Sequence, residues 1–246
     1  KEFNGSNFRF GEKSKYLVLE ADEWNASFLD YSPSGAVITN IDREHLDFYK
    51  NFSNIKKAFL SFVNNVRREG NGLLVVNKDD TSLFLMKDLI ERTAQGNGAR
   101  VIWYSVNSPI ANRIKNILKI SGAHNVSNAV GAYTLARELK VPHQAILKAF
   151  RGYRGSWRRM EYKGTMAATT AGQKNRIPVY DDYAHHPTEI KATLKAFRED
   201  YPKNPLVCVY QPHQAQRLKL LFDDFADSFL NADLTILMPI YQVAGR

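Results

Sequence analysis

The chain predicts an α/β fold: a central, mostly parallel sheet followed by a second, smaller Rossmann-like α/β unit. Three observations predict it. Short apolar runs rich in β-branched residues recur along the chain, segments with helical spacing separate them, and polar clusters follow the runs. This alternation is the pattern of a parallel sheet covered by helices, and the carboxyl ends of such strands are where ligands bind.

The elements follow in order. Residues 16–19 (Tyr-Leu-Val-Leu) and 36–39 (Ala-Val-Ile-Thr) read as short buried strands. Residues 52–67 place Phe52, Ile55, Phe59, Phe62, Val63 and Val66 at helical spacing, with Ser53 as N-cap. A strand over 72–77, a helix over 81–91 and a strand over 101–104 come next. A helix over 125–139 stops before Pro142, and a shorter one spans 143–150. Two glycines within 151–155 mark a hinge, which divides the chain into units 1–153 and 154–246. Beyond it, 178–180, 206–210 and 234–238 are strands, 187–198 and 218–230 are helices, and the small polar stretch 167–175 is a loop. Pro187 suits the first helical position, where its missing N–H is unpaired anyway. The last strand has no helix after it to cover it, so the sequence is expected to be truncated at the C-terminus, and at the N-terminus as well.

Composition narrows the function classes. The 246 residues are 44% hydrophobic and 24% charged, values of an ordinary globular protein. No apolar run reaches the length of a membrane span, so no membrane partner is expected. The start lacks a secretory core, and the single cysteine, Cys208, cannot form an internal disulfide; both fit a reducing, cytoplasmic setting. The net charge of +9 suits anionic ligands. Its basic residues are scattered, with no long basic arm and no zinc-finger or RNA-recognition signature, so nucleic acid is not the expected partner.

Five polar constellations sit after strands, at helix starts or at the hinge. Glu20-Ala21-Asp22-Glu23 follows a strand, and His45 follows the next one; carboxylates with a nearby imidazole can hold a phosphate-bound Mg²⁺. Asn125 and Asn128 are three apart at a helix start, and their amides can serve an adenine edge or a ribose. Arg158-Arg159 follows the glycine hinge, where arginine can reach a phosphate between two units. Asp181-Asp182-Tyr183-Ala184-His185-His186-Pro187 crowds acids and histidines at a strand–helix junction, and Gln211-Pro212-His213-Gln214 with Arg217 does the same one strand later. Taken singly, each also fits a solvated turn or a helix cap. Their shared placement argues for one site.

These strings carry a family resemblance. Glu-Ala-Asp-Glu followed by Thr-Asn-Ile-Asp-x-x-His-Leu-Asp resembles the central ATPase domain of the Mur ligases. His-Asn-x-x-Asn-Ala, Arg-Arg-Met-Glu, Asp-Asp-Tyr-Ala-His-His-Pro-Thr-Glu and Gln-Pro-His are similar to the branch that joins L-alanine to UDP-N-acetylmuramate in peptidoglycan synthesis. The likeness runs from about residue 7 to 246. It implies an ATP-dependent amide-forming ligase: ATP phosphorylates the muramate carboxylate, and the L-alanine amine displaces phosphate from the acyl phosphate. It implies Glu20 and His45 as Mg²⁺ ligands, with His45 counted also among the catalytic groups. Asn125 and Asn128 would contact the adenine nucleotide, Arg159 its phosphates from the junction, and Asp182 its ribose. Tyr183, His185 and His186 would stand at the reacting end, and His213 and Arg217 on the substrate side.

The departures are specific. No P-loop Gly-x-x-x-x-Gly-Lys-Thr/Ser occurs in the chain, so phosphates lack that cradle and the chain alone is expected to be inactive. Gln214 stands where the alanine ligases usually carry arginine, and Arg246 where they usually carry glutamate. The sequence leaves open a murein peptide recycling ligase and a non-catalytic nucleotide-binding module. It leaves the oligomeric state undetermined.

Overall fold

The computed structural model describes residues 11, 15–67, 72–170 and 173–241; for 168–170 and 173–175 only the backbone is described. Strand β2 (Leu73–Asn77) lies between β1 (Gly35–Ile38) and β3 (Arg100–Tyr104) in a parallel three-stranded sheet. All five residues of β2 are buried, as a strand covered on both faces requires. Its period of two divides them between two cores. Leu74 and Val76 pack with Ile55, Phe62, Val63 and Ile90, whereas Leu73 and Val75 pack with Ile114, Val126 and Val130.

The first face is covered by α2 (Phe52–Asn65), reached through a one-turn α1 (Leu46–Tyr49), and by α3 (Thr81–Leu85) and α4 (Lys87–Gly96). The second is covered by α5 (Pro109–Lys115) and α6 (Ala123–Glu138). Helix α7 (His143–Gly152) closes this unit, with the Tyr133 hydroxyl 2.8 Å from His143 Nδ1. After the stretch 153–160 comes an antiparallel hairpin of β4 (Glu161–Thr170) and β5 (Gln173–Asp181). Helix α8 (Pro187–Asp200) follows, then β6 (Val207–Tyr210), α9 (Ala215–Leu220), α10 (Phe222–Ala226) and β7 (Leu234–Leu237), which is parallel to β6. Ile190, Leu194, Tyr210, Leu221 and Phe225 form the core here, and Leu46 of the first unit packs against it.

The α/β class holds, with several corrections to the elements. Residues 16–19 form no strand: Leu17 is 86% and Val18 90% exposed. An apolar run becomes a strand only where a neighbouring backbone pairs with it, and among the described residues none does. The expected loop 167–175 lies in the β4–β5 hairpin, whose small and polar residues pair across from Ala167 to Arg176 and beyond; residues 171–172 lie outside the described residues. The strand expected at 178–180 is the end of β5 in that antiparallel pair, separate from the parallel sheet. The helix expected at 81–91 breaks at Met86, and the one at 218–230 is divided at Leu221 and Asp227. Asn51, with its side chain accepting the Asn54 N–H at 3.0 Å, caps α2 in place of Ser53.

Candidate active site

Glu20, His45, Asn125, Asn128, Arg159, Asp182, Tyr183, His185, His186, His213 and Arg217 line one cleft of about 1570 Å³, between the sheet unit and the start of the second unit. Three local structures build it.

The first is the turn that enters the hairpin. Arg158 and Met160 both have left-handed backbone, φ 52° and 48°, so Arg159 stands on a strained corner. Asp182 ties that corner down: its carboxylate accepts the Met160 N–H and the Ala184 N–H, each at 2.7 Å. Arg158 Nε adds a bond to Asp181 at 3.1 Å, and the Tyr183 N–H donates to the Arg158 carbonyl at 2.7 Å. The Tyr183 ring lies under the guanidinium groups of Arg158 and Arg159, 5.2 and 5.7 Å from its centroid, a cation–π arrangement.

The second is the α8 N-terminus. His186 is the N-cap and Pro187 the first helical residue, as the sequence predicts. His186 Nδ1 accepts the Thr188 N–H at 3.3 Å, so the ring is buried as a cap. Glu189, three residues on, accepts the N–H groups of His185 and His186 at 2.9 and 3.3 Å and takes Arg159 at 3.1 Å. Burial pushes the Glu189 carboxyl up, but the His185 N–H and the His185 and Arg159 charges outweigh it and hold it below the usual range. Glu189 therefore joins Arg159, His185 and His186 in one polar cluster. Sequence reading missed it, although an acid three residues after a cap is the signature of a capping box.

The third is loop 42–46. His45, in left-handed backbone, turns its Nε2 to Glu23 Oε1 at 3.4 Å and packs its ring 5.1 Å from Trp24. Burial pulls the imidazole down, but the Glu23 hydrogen bond and the Glu44 charge outweigh it and raise His45 above the ordinary range. The His45 hydrogen bond in turn lowers Glu23. The rest of the loop reaches the second unit: Thr188 donates to Asp42 at 2.5 Å, and Arg217 donates to Glu44 Oε1 from Nε at 2.8 Å and from Nη2 at 2.5 Å.

The remaining candidates are placed as follows. Glu20 lines the cleft exposed to solvent, and Glu23 is the acid that meets His45. Asn125 spends one amide donor on the Ser121 carbonyl at 2.6 Å, and Asn128 is exposed one turn on. His124 beside them is pulled below its usual range by burial. His213 stacks on Tyr241, with centroids 5.5 Å apart and an interplanar angle of 15°. Gln214 caps α9 in left-handed backbone, φ 65°. Among the described residues no group of three His, Cys, Asp or Glu side chains is arranged to hold a metal ion. Glu20, Glu23 and His45 line the cleft without forming such a group, and the His45 ring is paired with Glu23.

The arrangement is a cleft with Glu23 and His45 on one side and Arg159, Asp182, His185 and Glu189 on the other. It can bind a polyanion and orient a second, smaller group beside it. The chain is matched by the model of the Mur ligase middle domain over residues 6–136 and by that of the Mur ligase glutamate ligase domain over 158–242. It belongs to the Mur ligase family. It is 40% identical to the UDP-N-acetylmuramate–L-alanine ligase of Aquifex aeolicus over 262 residues, which is 98% of this chain and 54% of that protein. A ligase of the same name from Desulforapulum autotrophicum is 40% identical over 257 residues, again 98% and 54%. The chain thus spans about half the length of the curated relatives it matches. In fold it is similar to a UDP-N-acetylmuramate-alanine ligase from Thermotoga maritima, with a TM-score of 0.60 and 22% identity over 88% of this chain and 48% of that one. It is also similar to a murein peptide ligase from Psychrobacter arcticus, with a TM-score of 0.56 and 24% identity over 86% and 44%. Among the described residues no helix is long and apolar enough to cross a membrane.

Proposed function

We propose that this chain carries the nucleotide and amino-acid side of a cytoplasmic, ATP-dependent ligase that joins L-alanine to UDP-N-acetylmuramate. Its two units meet near residues 153 and 154. The observation that carries the reading is the junction of Arg159, Asp182, His185 and Glu189 on one side of the cleft with Glu23 and His45 on the other. The names borne by relatives 40% identical over 98% of this chain support it.

In this reading Asn125 and Asn128 present amides to the adenine nucleotide, and Asp182 offers its remaining lone pairs to the ribose. Arg159 faces the phosphates, held by Glu189 and by the strained turn, so its charge needs little reorganisation. Glu20 and His45 would hold Mg²⁺, which supplies charge neutralisation between phosphate oxygens. Arg217 and His213 orient the substrate side, and Arg217 leaves Nη1 buried without a partner in the cleft. Tyr183, His185 and His186 border the place where the amine meets the acyl phosphate. Positioning and electrostatics are the chemistry such residues can supply.

Calorimetry of the chain with Mg²⁺ and ATP, beside an Asn128→Ala/Asp182→Ala variant, tests this. Binding in the parent and its loss in the variant is the expected result. Equal binding by both would overturn the nucleotide assignment. A ligation assay with ATP, UDP-N-acetylmuramate and L-alanine is expected to show little turnover, because the sequence carries no P-loop to cradle the phosphates.

A further inference from the structure

We propose that Glu44 is the positioning residue for Arg217, and that this pair is the charged clamp holding the second unit against loop 42–46. No role for Glu44 follows from the motifs above; the inference goes beyond the proposed function, and only the use of Arg217 toward substrate rests on that reading.

The geometry carries it. Arg217 is 9% exposed, and a buried guanidinium needs a carboxylate beside it. Glu44, 173 residues earlier in the chain, supplies that carboxylate, with one oxygen taking both Nε and Nη2. Two donors on one edge fix the guanidinium plane, and a planar fork cannot rotate without breaking both. The opposite edge keeps Nη1 buried and unpartnered. His186, 6% exposed, likewise buries Nε2 without a hydrogen bond, 4.0 Å from the other Glu44 oxygen. Glu44 thus sits between the Arg217 guanidinium and the buried His186 ring that α9 and α8 bring to the cleft.

The same loop makes a second, different pair. Arg43 donates to Asp224 at 2.6 Å, but both side chains are more than 40% exposed. Such a pair contributes little and is screened by salt. The Glu44–Arg217 pair, at 17% and 8% side-chain exposure, is the one whose loss leaves a charge stranded. Leu46, which ends the same loop, packs against the second unit's core but makes no hydrogen bond to fix the guanidinium plane.

Two readouts on the whole chain test the clamp without nucleotide or turnover, so failure of the ligase reading leaves them unaffected. In ¹⁵N-resolved spectra the Arg217 Nε–H signal is expected to persist at neutral pH. It is expected to vanish in Arg217→Gln and to be lost to solvent exchange in Glu44→Gln. Persistence in Glu44→Gln, or no persistent signal assigned to Arg217, would overturn the positioning role. Small-angle X-ray scattering is expected to show a larger radius of gyration in Glu44→Gln and in Arg217→Gln, and no further rise in the double variant. Arg43→Ala is expected to leave the radius unchanged. Additive expansion in the double variant, or an equal expansion in Arg43→Ala, would overturn the clamp. Should Arg217→Gln fail to fold by circular dichroism, the comparison of Glu44→Gln with Arg43→Ala decides alone.

Discussion

Asp182 and Met160 are bound to each other through the backbone: the Asp182 carboxylate accepts the Met160 N–H at 2.7 Å, next to the Ala184 N–H at the same distance. Met160 and Arg158 are both in left-handed backbone, which costs an L-residue roughly 1–2 kcal/mol. The carboxylate offsets that cost and thereby holds Arg159 where it is. Asp182→Ala is expected to lower stability by about 1 kcal/mol or more, as loss of acceptors for half-buried N–H groups does. Asp182→Asn, which keeps one acceptor oxygen, is expected to lose less. Urea unfolding measures both; an alanine variant as stable as the parent would remove the carboxylate from this role.

Glu189 makes a pH prediction. Its carboxyl is held below the ordinary 4.5, because the His185 N–H and the His185 and Arg159 charges outweigh the upward push of burial. A carboxyl with a depressed folded value takes up protons more readily when unfolded. Its stabilisation is therefore present above the unfolded value and is lost as pH falls through the folded one. Below pH 4.5 the parent is expected to lose stability more steeply than Glu189→Gln. Urea midpoints across that range check it, and parallel acid limbs for the two proteins would count against it.

Gly122 precedes α6 with φ 99° and ψ 136°, a region almost closed to side chains. An added Cβ would lie 2.6 Å from the His124 ring and 3.1 Å from Ala196 of α8. Gly122→Ala is expected to cost about 1–3 kcal/mol and to displace His124, one residue before Asn125. Thermal unfolding, together with the His124 ring proton shifts, reads both effects. An unshifted ring would mean that the contact is relieved elsewhere.

Arg159→Lys tests whether charge alone suffices at the junction. Lysine keeps the charge but loses the planar fork that meets Glu189 and lies over Tyr183. If the chain binds Mg²⁺-ATP as proposed, affinity is expected to fall roughly tenfold, a loss of about 1.4 kcal/mol. Calorimetry against the parent measures it, and unchanged affinity would show that a point charge is enough.

Periodicity made the sheet unit legible. The apolar runs at Ala36-Val37-Ile38 and Leu73-Leu74-Val75-Val76 could be read because the fold buries them, the central β2 wholly and β1 in alternation. Tyr16-Leu17-Val18-Leu19 has the same local character and forms no strand, since pairing is a property of the neighbour and not of the run. The hairpin at Glu161–Thr170 and Gln173–Asp181 escaped for the opposite reason: alanine, threonine and glycine carry no apolar alternation to read, yet their backbones pair. The candidate site was legible as separate strings at strand ends. Glu23 was legible only as one of three acids in its string, and Glu44 and Glu189 were given no role, because an acid in a polar loop carries no signal of what it faces.

Residue types and spacing by themselves determined the α/β class, the Pro187 helix start and the motifs that mark a Mur ligase, since each of these is local in the chain. Tertiary structure alone decided the pairings: Glu44 with Arg217, Thr188 with Asp42, Glu23 with His45. The first two join residues 173 and 146 positions apart, which the packing of loop 42–46 against the second unit brings within reach. A charge acts over a few ångströms in space, and the order of residues along a chain does not record that distance.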